Sequence, residues 1–231
     1  MKKTFILLQA SIIVLMLTFI SLKASAQAFD TPSDAYPATA APATAGAVGK
    51  IICAGGTISL SATTPNATST YVWRKKNSSG TMVVVLGPGA AGANTTYSET
   101  PSAAGYYTYT VEEINSNTCS TISNPITVFV LPPLAPVIAG QSNVCASNQS
   151  TTPLTITGLD GNFQYNYQWT RDGIDIPSAT LATYTVSEST ATATVNFAVK
   201  VNYVFNTSCT KTSANKAIAV IALPTPTITI N

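Results

Sequence analysis

The sequence has no histidine, and only 9% of its 231 residues are Asp, Glu, Lys or Arg, whereas about 25% is usual for globular proteins. Without histidine, the most frequent general base and the most frequent metal ligand at neutral pH are both missing. No glycine-rich loop of the kind that binds phosphate follows a predicted strand. We therefore expect a protein that is not an enzyme and that has no catalytic residues, no cofactor and no metal site.

The N-terminal segment has the pattern of an export signal. Two lysines precede an apolar run from Phe5 to Leu22, and Ala-Ser-Ala at residues 24–26 suits cleavage before Gln27. An uncleaved membrane anchor is the alternative, because the run is close to the roughly 20 residues that a membrane span needs. We expect residues 1–26 to be removed, which makes this a bacterial protein that is secreted or held at the cell surface.

Cleavage also changes the charge of the chain. Loss of the three lysines of the signal turns the formal net charge of +2 into −1. A chain so close to neutrality has no basic surface for nucleic acid or for anionic lipid headgroups. We expect no nucleic-acid partner and no membrane span after cleavage. The expected partners are other copies of the chain, or other proteins and glycans of the cell surface.

The four cysteines mark two copies of one module. Cys53 and Cys119 are 66 positions apart, Cys145 and Cys209 are 64 positions apart, and each interval holds one tryptophan, in "YVW" or "YQW". In an exported chain, four cysteines predict two disulfides. The repeat places one disulfide within each unit, Cys53 with Cys119 and Cys145 with Cys209. A zinc site of four thiolates is the alternative that the composition leaves open.

Hydrophobic and polar residues alternate inside both units. The clearest stretches are "FQYNYQW" at 163–169, "VNFAVKVNYVF" at 195–205 and "YTYTV" at 107–111. A period of two predicts strands with one buried face, and Asp172-Gly173 predicts a two-residue hairpin turn. Short strands without helical periodicity predict an all-β sandwich.

The stretch "YQWTRDGIDIPSATLATYTV" at 167–186 resembles the core signature of immunoglobulin-like repeats in bacterial surface proteins, especially the Bacteroidetes-type modules of large adhesins and gliding-associated proteins. The resemblance covers both units, and it implies two tandem immunoglobulin-like β-sandwiches with a role in adhesion or architecture. We expect the first domain at 51–131 and the second at 132–223. Residues 27–50, rich in Ala, Pro and Thr, are expected to be a flexible segment before them.

The tryptophans should lie in the two cores, and the cysteines beyond them. In antibody-type domains the two cysteines lie in the middle of their strands and pack on the tryptophan. Here the residues that face Trp73 should be Leu60 and Tyr109, and those that face Trp169 should be Ile156 and Val199, so the cysteines lie beyond these strand cores. Each disulfide is therefore expected to staple one end of its own sandwich rather than its middle. We expect six residues to form the two cores: Leu60, Trp73, Tyr109, Ile156, Trp169 and Val199.

One stretch of the first unit is more apolar than a half-exposed strand requires. It consists of Met82, Val83, Val84, Val85 and Leu86. Either both faces of this strand are covered within the monomer, or it is an edge strand that pairs with a partner. Both interpretations stay open, and these five residues are a candidate contact.

The C-terminal "PTPTITIN" repeats the start of the second unit. The junction between the units reads "LPPLAPVIAG", in which "PVIAG" predicts a first strand. The corresponding stretch before the first unit, "PATAAPATAGAVGK", has few side chains that a core can bury. The first unit thus lacks a first strand, and residues 224–231 form a tail with a spare one.

A missing strand and a spare strand suggest head-to-tail assembly by strand addition. Such a contact joins two different surfaces, so it builds a filament unless it closes into a ring. Two alternatives are that the tail folds back on the second unit, or that the sequence is a fragment of a longer adhesin. The residues expected to carry the assembly are Pro226, Thr227, Ile228, Thr229 and Ile230.

A carbohydrate-binding module that acts as a monomer is the second functional hypothesis. It needs exposed aromatic rings, and Tyr106, on the outward phase of its strand, is the candidate. Asp160-Gly161-Asn162 has too few oxygen ligands for calcium, which needs six or more. We interpret that triplet as a loop.

Overall fold

The computed structural model describes residues 42–147, 150–188, 190 and 194–230. The expected export signal at 1–26 lies outside these residues, as do residues 27–41 of the segment expected to be flexible. The remainder of that segment contains a short 3-10 helix, Ala45–Ala47, and the first residue of a strand.

Domain 1 contains eight strands in its described residues: β1 (Lys50–Ile52), β2 (Ile58–Ser61), β3 (Thr70–Lys76), β4 (Met82–Leu86), β5 (Thr96–Glu99), β6 (Gly105–Ile114), β7 (Ser120–Ile122) and β8 (Ile126–Val130). One sheet has the order β1-β8-β6-β3-β4, and β7 pairs with β6 beyond the end of β8. The other sheet pairs β2 with β5. The β1–β8 pair is parallel, as expected of a strand that switches between the sheets of a sandwich.

Domain 2 repeats this plan, and the part of it that the structure describes contains nine strands: β9 (Val137–Ala139), β10 (Asn143–Cys145), β11 (Thr151–Thr157), β12 (Tyr165–Arg171), β13 (Ile174–Asp175), β14 (Thr183–Ser187), β15 (Val195–Tyr203), β16 (Thr210–Thr212) and β17 (Lys216–Ile221). One sheet has the order β10-β17-β15-β12-β13 with β16 beside β15, and the other has the order β14-β11-β9. The prediction of an all-β chain with two tandem immunoglobulin-like sandwiches is confirmed.

Both cores follow the alternation that the sequence predicts. Trp73, Tyr109, Trp169 and Val199 are buried, whereas Leu60 and Ile156 are half-buried against the same clusters. Each indole N–H donates to a backbone carbonyl 2.9 Å away, of Asn94 in domain 1 and of Leu181 in domain 2. Burial of the tryptophans therefore leaves no indole donor unsatisfied.

The strand register corrects one part of the core prediction. Trp169 lies opposite Val199, as expected, but Trp73 lies opposite Val111 and not Tyr109. Tyr109 lies opposite Lys75, two residues further along β3. Two residues, one from each domain, are equivalent when they occupy the same position relative to the Trp73–Val111 pair and the Trp169–Val199 pair.

The expected disulfide pairing is wrong. Cys53 is bonded to Cys209, with a Cα–Cα distance of 5.3 Å, and Cys119 and Cys145 are exposed free thiols. Cys53 follows the end of β1, beside the start of β6, whereas Cys119 follows the far end of β6. Because a ten-residue strand spans roughly 30 Å, the two cysteines of one sandwich lie at opposite ends and cannot pair.

The disulfide belongs to the junction between the two domains, which is also apolar and aromatic. The ring centroids of Phe129 and Phe163 are 6.2 Å apart, and those of Phe163 and Tyr203 are 5.3 Å apart. The Asn206 side chain donates to the Ile51 carbonyl at 3.0 Å. The two sandwiches are therefore joined by a chain segment, a covalent bond and a packed interface.

Tyr106 belongs to this junction as well, which corrects its interpretation as an exposed aromatic. The residue is half-buried, and its ring centroid lies 4.7 Å from that of Phe129. The outward face of β6 becomes an inward face where domain 2 covers it. Tyr106 therefore does not present a free ring to a sugar.

Candidate functional site

Domain 2 shows how a first strand completes this sandwich. Its β9 pairs with β11 in an antiparallel register that sets Ile138 opposite Ile156. Ile138 is buried in the core around Trp169, and Leu134, just before the strand, is partly buried against the same core. The strand thus both extends the smaller sheet and covers the apolar gap between the two sheets.

Domain 1 has no such strand among its described residues. The place of β9 falls on Ala45–Ala47, which forms the exposed 3-10 helix and buries no side chain. Within the described residues, strand β2 pairs with β5 on one side and with no strand on the other. Its other edge therefore keeps main-chain N–H and C=O groups that can pair with an added strand.

A groove of about 480 Å³ lies along this free edge of β2. One wall is formed by residues 59–63, and the opposite wall comes from β6 and from residues 121–126. Its apolar lining reaches the core of the domain and consists of Leu60, Tyr71, Trp73, Tyr109, Val111 and Ile126. The groove is the gap between the two sheets that β9 covers in domain 2.

The rim of the groove is apolar where domain 2 is polar. The side chains of Ile122 and Ile126 are 57% and 41% exposed. Their equivalents, given by the pairing of β6 and β15 with the strands that follow, are Thr212 and Lys216. Exposed isoleucines beside an open groove are typical of a surface that another apolar segment covers.

The tail carries the side chains that such a groove can bury. Residues 224–230 form no strand, and within the described part of the chain no strand pairs with them. Ile228 and Ile230 are 97% and 99% exposed. The tail therefore does not fold back on domain 2, which was one of the alternatives from the sequence.

The register aligns the tail with the first strand of domain 2. Val130 and Val220 are equivalent, because Val130 lies four residues after Ile126, which pairs with Tyr109, and Val220 lies four residues after Lys216, which pairs with the equivalent Phe197. Counting six residues on from these valines leads to Pro136 and to Pro226, and counting eight leads to Ile138 and to Ile228. Ile228 is thus the residue of the tail that matches the buried Ile138.

The apolar stretch Met82–Leu86 forms β4, which is an edge strand of the larger sheet in the described residues. Val83 is buried, and the other four residues are half-buried. Both faces are therefore partly covered within the molecule while one edge stays open. Pairing of this edge with a partner remains a prediction.

A buried polar cluster in domain 1 was not predicted from the sequence. The ammonium of Lys75 lies 3.5 Å from a carboxylate oxygen of Glu99, and both side chains are almost fully buried. The hydroxyls of Tyr97 and Tyr109 donate to the same carboxylate at 2.6 and 2.5 Å. Burial, and then the bonds to Glu99, raise the pKa of both tyrosines, which keeps both hydroxyls protonated as donors.

The remaining candidates for chemistry have structural roles. Asp172 and Gly173, both with positive φ, form the predicted turn, and the Asp172 carboxylate accepts from the Asn196 N–H. Asp160 accepts two bonds from Asn162 within its loop. Among the described residues, no three metal-binding side chains come close enough to hold an ion. The same residues include no helix long and apolar enough to cross a membrane.

The fold and the site described above are those of an immunoglobulin-like β-sandwich protein. Residues 39–132 match the family described as "Ig-like domain CHU_C associated", a Bacteroidetes-type immunoglobulin-like family. Domain 1 is therefore a domain of this family, which confirms the resemblance for that part of the chain. Comparison with curated proteins gave no match.

Solved structures of other sandwich proteins are similar to the chain at low identity. The fibronectin(III)-like modules of Clostridium thermocellum CbhA are 20% identical, with 76% of this chain and 90% of that one covered and a TM-score of 0.36. The N-terminal domains of the bacteriophage RB49 outer capsid protein Hoc are 20% identical, with coverages of 74% and 56% and a TM-score of 0.39. An ICAM-5 ectodomain fragment is 16% identical, with coverages of 78% and 53% and a TM-score of 0.39.

The chain thus spans about half the length of the phage and ICAM-5 structures. Its fold is established by its own sheets and by the family match. Immunoglobulin-like domains are consistent with a structural or adhesive module.

Proposed function

We propose that this protein is a non-enzymatic structural or adhesive component of a bacterial cell surface, whose exported copies join head-to-tail into a filament. In each joint, Pro226–Ile230 of one copy lies along β2 of the next copy and fills the groove of domain 1. Two features together support the proposal: domain 1 has an open groove, and the exposed tail matches in position the strand β9 that fills the same place in domain 2.

The side chains of the tail suit a strand with one buried face. Ile228 and Ile230 share the phase of Ile138, whereas Thr227 and Thr229 share the opposite phase. Burying each isoleucine contributes roughly 1.5–3 kcal/mol. Main-chain hydrogen bonds to the free edge of β2 add direction, as in other cases of strand addition.

Charge does not oppose this contact. The tail has no ionisable side chain, and the groove is lined by one charged residue, Glu113, with hydroxyl, amide and apolar groups around it. Pro226 lies at the start of the added strand, where its missing N–H costs least. The joint is therefore expected to depend on apolar burial and main-chain pairing, with little sensitivity to salt.

The deletion of residues 224–231 tests the proposal. We expect the chain from Gln27 to form long oligomers that are visible by electron microscopy, and the chain from Gln27 to Leu223 to stay a folded monomer. Circular dichroism of the truncated chain checks its fold, since the tail makes no strand contact in the described structure. All samples contain reductant, so that disulfides between copies play no part.

Two outcomes would count against the proposal. Oligomers of unchanged length after deletion would exclude the tail as the joining element. A full-length chain that stays monomeric at high concentration would instead favour a monomeric module, or a tail that belongs to a further domain in a longer protein.

A further inference from the structure

The two free cysteines lie at the two ends that a head-to-tail joint would bring together. Cys119 lies in the β6–β7 turn, at the end of domain 1 away from the junction. Cys145 ends β10, where its Cα is paired with Ile221 just before the tail. Both side chains are exposed.

These cysteines repeat the positions of the bonded pair. Cys119 directly precedes β7, just as Cys209 directly precedes β16. Cys53 directly follows the Ile52–Val130 pair, just as Cys145 directly follows the pair that Val144 makes in domain 2. The junction inside the molecule is therefore made from the same two positions that stay unbonded at its outer ends.

We propose that Cys145 of one copy forms a disulfide with Cys119 of the next copy, which repeats the Cys53–Cys209 bond at every joint between copies. This inference rests on the proposed head-to-tail function and adds a covalent lock to it. A strand added from the tail would place the end of one copy's domain 2 against the next copy's domain 1, as β9 does for the two domains of one chain. The filament would then be a uniform row of sandwiches, all stapled in the same way.

The loop that carries Cys119 is organised like the loop that carries Cys209. The Asn206 side chain accepts from the Ser208 N–H, and its amide donates across the junction to the Ile51 carbonyl. The Asn115 side chain accepts from the Asn117 and Cys119 N–H groups. Each loop is thus held by an asparagine side chain shortly before its cysteine, three residues ahead of Cys209 and four residues ahead of Cys119.

The aromatic packing of the internal junction is not repeated at the outer ends. Phe129 is equivalent to Ala219, and Tyr203 is equivalent to Asn115. A joint between copies would thus lack the ring contacts that bind the two domains of one chain. The added strand and the disulfide would have to hold such a joint without help from aromatic packing. A disulfide would therefore matter more at a joint between copies than the Cys53–Cys209 bond does at the internal junction.

The bond requires an oxidant, because two thiols lose two protons and two electrons when they form it. A low-molecular-weight disulfide such as glutathione disulfide balances the reaction. One thiolate attacks it to give a mixed disulfide, and the thiolate of the other copy displaces the second glutathione. The products are one Cys145–Cys119 disulfide and two molecules of glutathione. Exposure of both thiols in an exported chain makes them accessible to this exchange.

The test uses the chain from Gln27 with glutathione disulfide, analysed on non-reducing gels. We expect a ladder of covalent multimers that collapses to monomer with dithiothreitol. Peptide mapping should give the Cys53–Cys209 crosslink in every band and a Cys119–Cys145 crosslink only in multimers. Cys119→Ser alone and Cys145→Ser alone should each lose the ladder, whereas an equal mixture of the two variants should give dimers and nothing larger.

Each alternative result bears on the proposal. Dimers from either serine variant alone would mean symmetric pairing and would overturn it, and so would a Cys119–Cys145 bond within one monomer. Filaments that form under reductant but give no crosslink with the oxidant would retain the proposed function and reject the disulfide.

The truncated chain without residues 224–231 separates the two ideas further. If the tail aligns the joint, its deletion should slow crosslinking by roughly 100-fold or more, through loss of effective concentration. Crosslinking at an unchanged rate would support the cysteine pair and reject strand addition.

Discussion

Replacing Ile228 and Ile230 together by aspartate should weaken association between copies by roughly a hundredfold to ten-thousandfold, because two apolar burials of about 1.5–3 kcal/mol each are lost. Both residues are almost fully exposed on the free chain, so the substitution should leave the stability of the monomer unchanged. A loss of this size is expected if both isoleucine side chains are buried in the groove. A tail that only touches the surface of the next copy would give a smaller loss.

The matched control is the pair Thr227→Asp and Thr229→Asp. These residues alternate with the isoleucines, and in the added strand they point away from the groove. The control variant has the same added charge, yet it should assemble within about tenfold of the unchanged chain. Analytical ultracentrifugation under reducing conditions measures both. Equal loss in the two pairs would mean that charge, and not the phase of the strand, controls assembly.

Glu99→Ala should destabilise domain 1 by about 3–5 kcal/mol, because it leaves the Lys75 ammonium buried without its carboxylate partner. The hydroxyls of Tyr97 and Tyr109 would lose their shared acceptor in the same variant. Hydrogen exchange measured by mass spectrometry should show faster exchange in peptides of domain 1. Peptides of domain 2 serve as the internal control.

Domain 2 suggests the compensating variant. Tyr97 packs against Trp73 as Tyr184 packs against Trp169, which equates Glu99 with Val186, and strand register equates Tyr109 with Phe197. The residue at the place of Lys75 is Arg171, which lies at the surface and pairs with Glu188, so domain 2 buries no ion pair at this place. The triple variant Lys75→Met, Glu99→Val and Tyr109→Phe should recover most of the lost stability, since replacing a buried ion pair as a whole is often neutral or stabilising. A triple variant as unstable as Glu99→Ala would show that packing, and not the unpaired charge, causes the loss.

The repeat, the strands and the cores followed from the sequence because they depend on period and spacing. Alternation in "YTYTV" and "FQYNYQW" indicates which face is buried, whichever strand lies opposite. The pairing of the cysteines did not follow, because it depends on which end of a strand each one occupies. The sequence spacing of the four cysteines is the same whether each one bonds within its own sandwich or across a junction.

The buried cluster had a signal that alternation alone could supply. Lys75 shares the phase of Tyr71 and Trp73 on β3, and Glu99 shares the phase of Tyr97 on β5. Two charges of opposite sign on inward phases of one sandwich predict a buried pair, although nothing in the sequence sets the two strands side by side. The groove itself could be predicted only as a missing strand, because its walls come from segments far apart in the chain.

Photocrosslinking from the tail measures its location most directly. A benzophenone amino acid at position 230 would be placed on an unlabelled chain from Gln27, and a nitrogen-15-labelled chain without residues 224–231 would provide an unoccupied groove. Irradiation of the mixture followed by mass spectrometry identifies which peptides are joined, and the label identifies which chain each comes from. We expect crosslinks from the unlabelled tail to labelled residues 59–63 or 109–126. Crosslinks confined to domain 2 of the unlabelled chain would contradict the account.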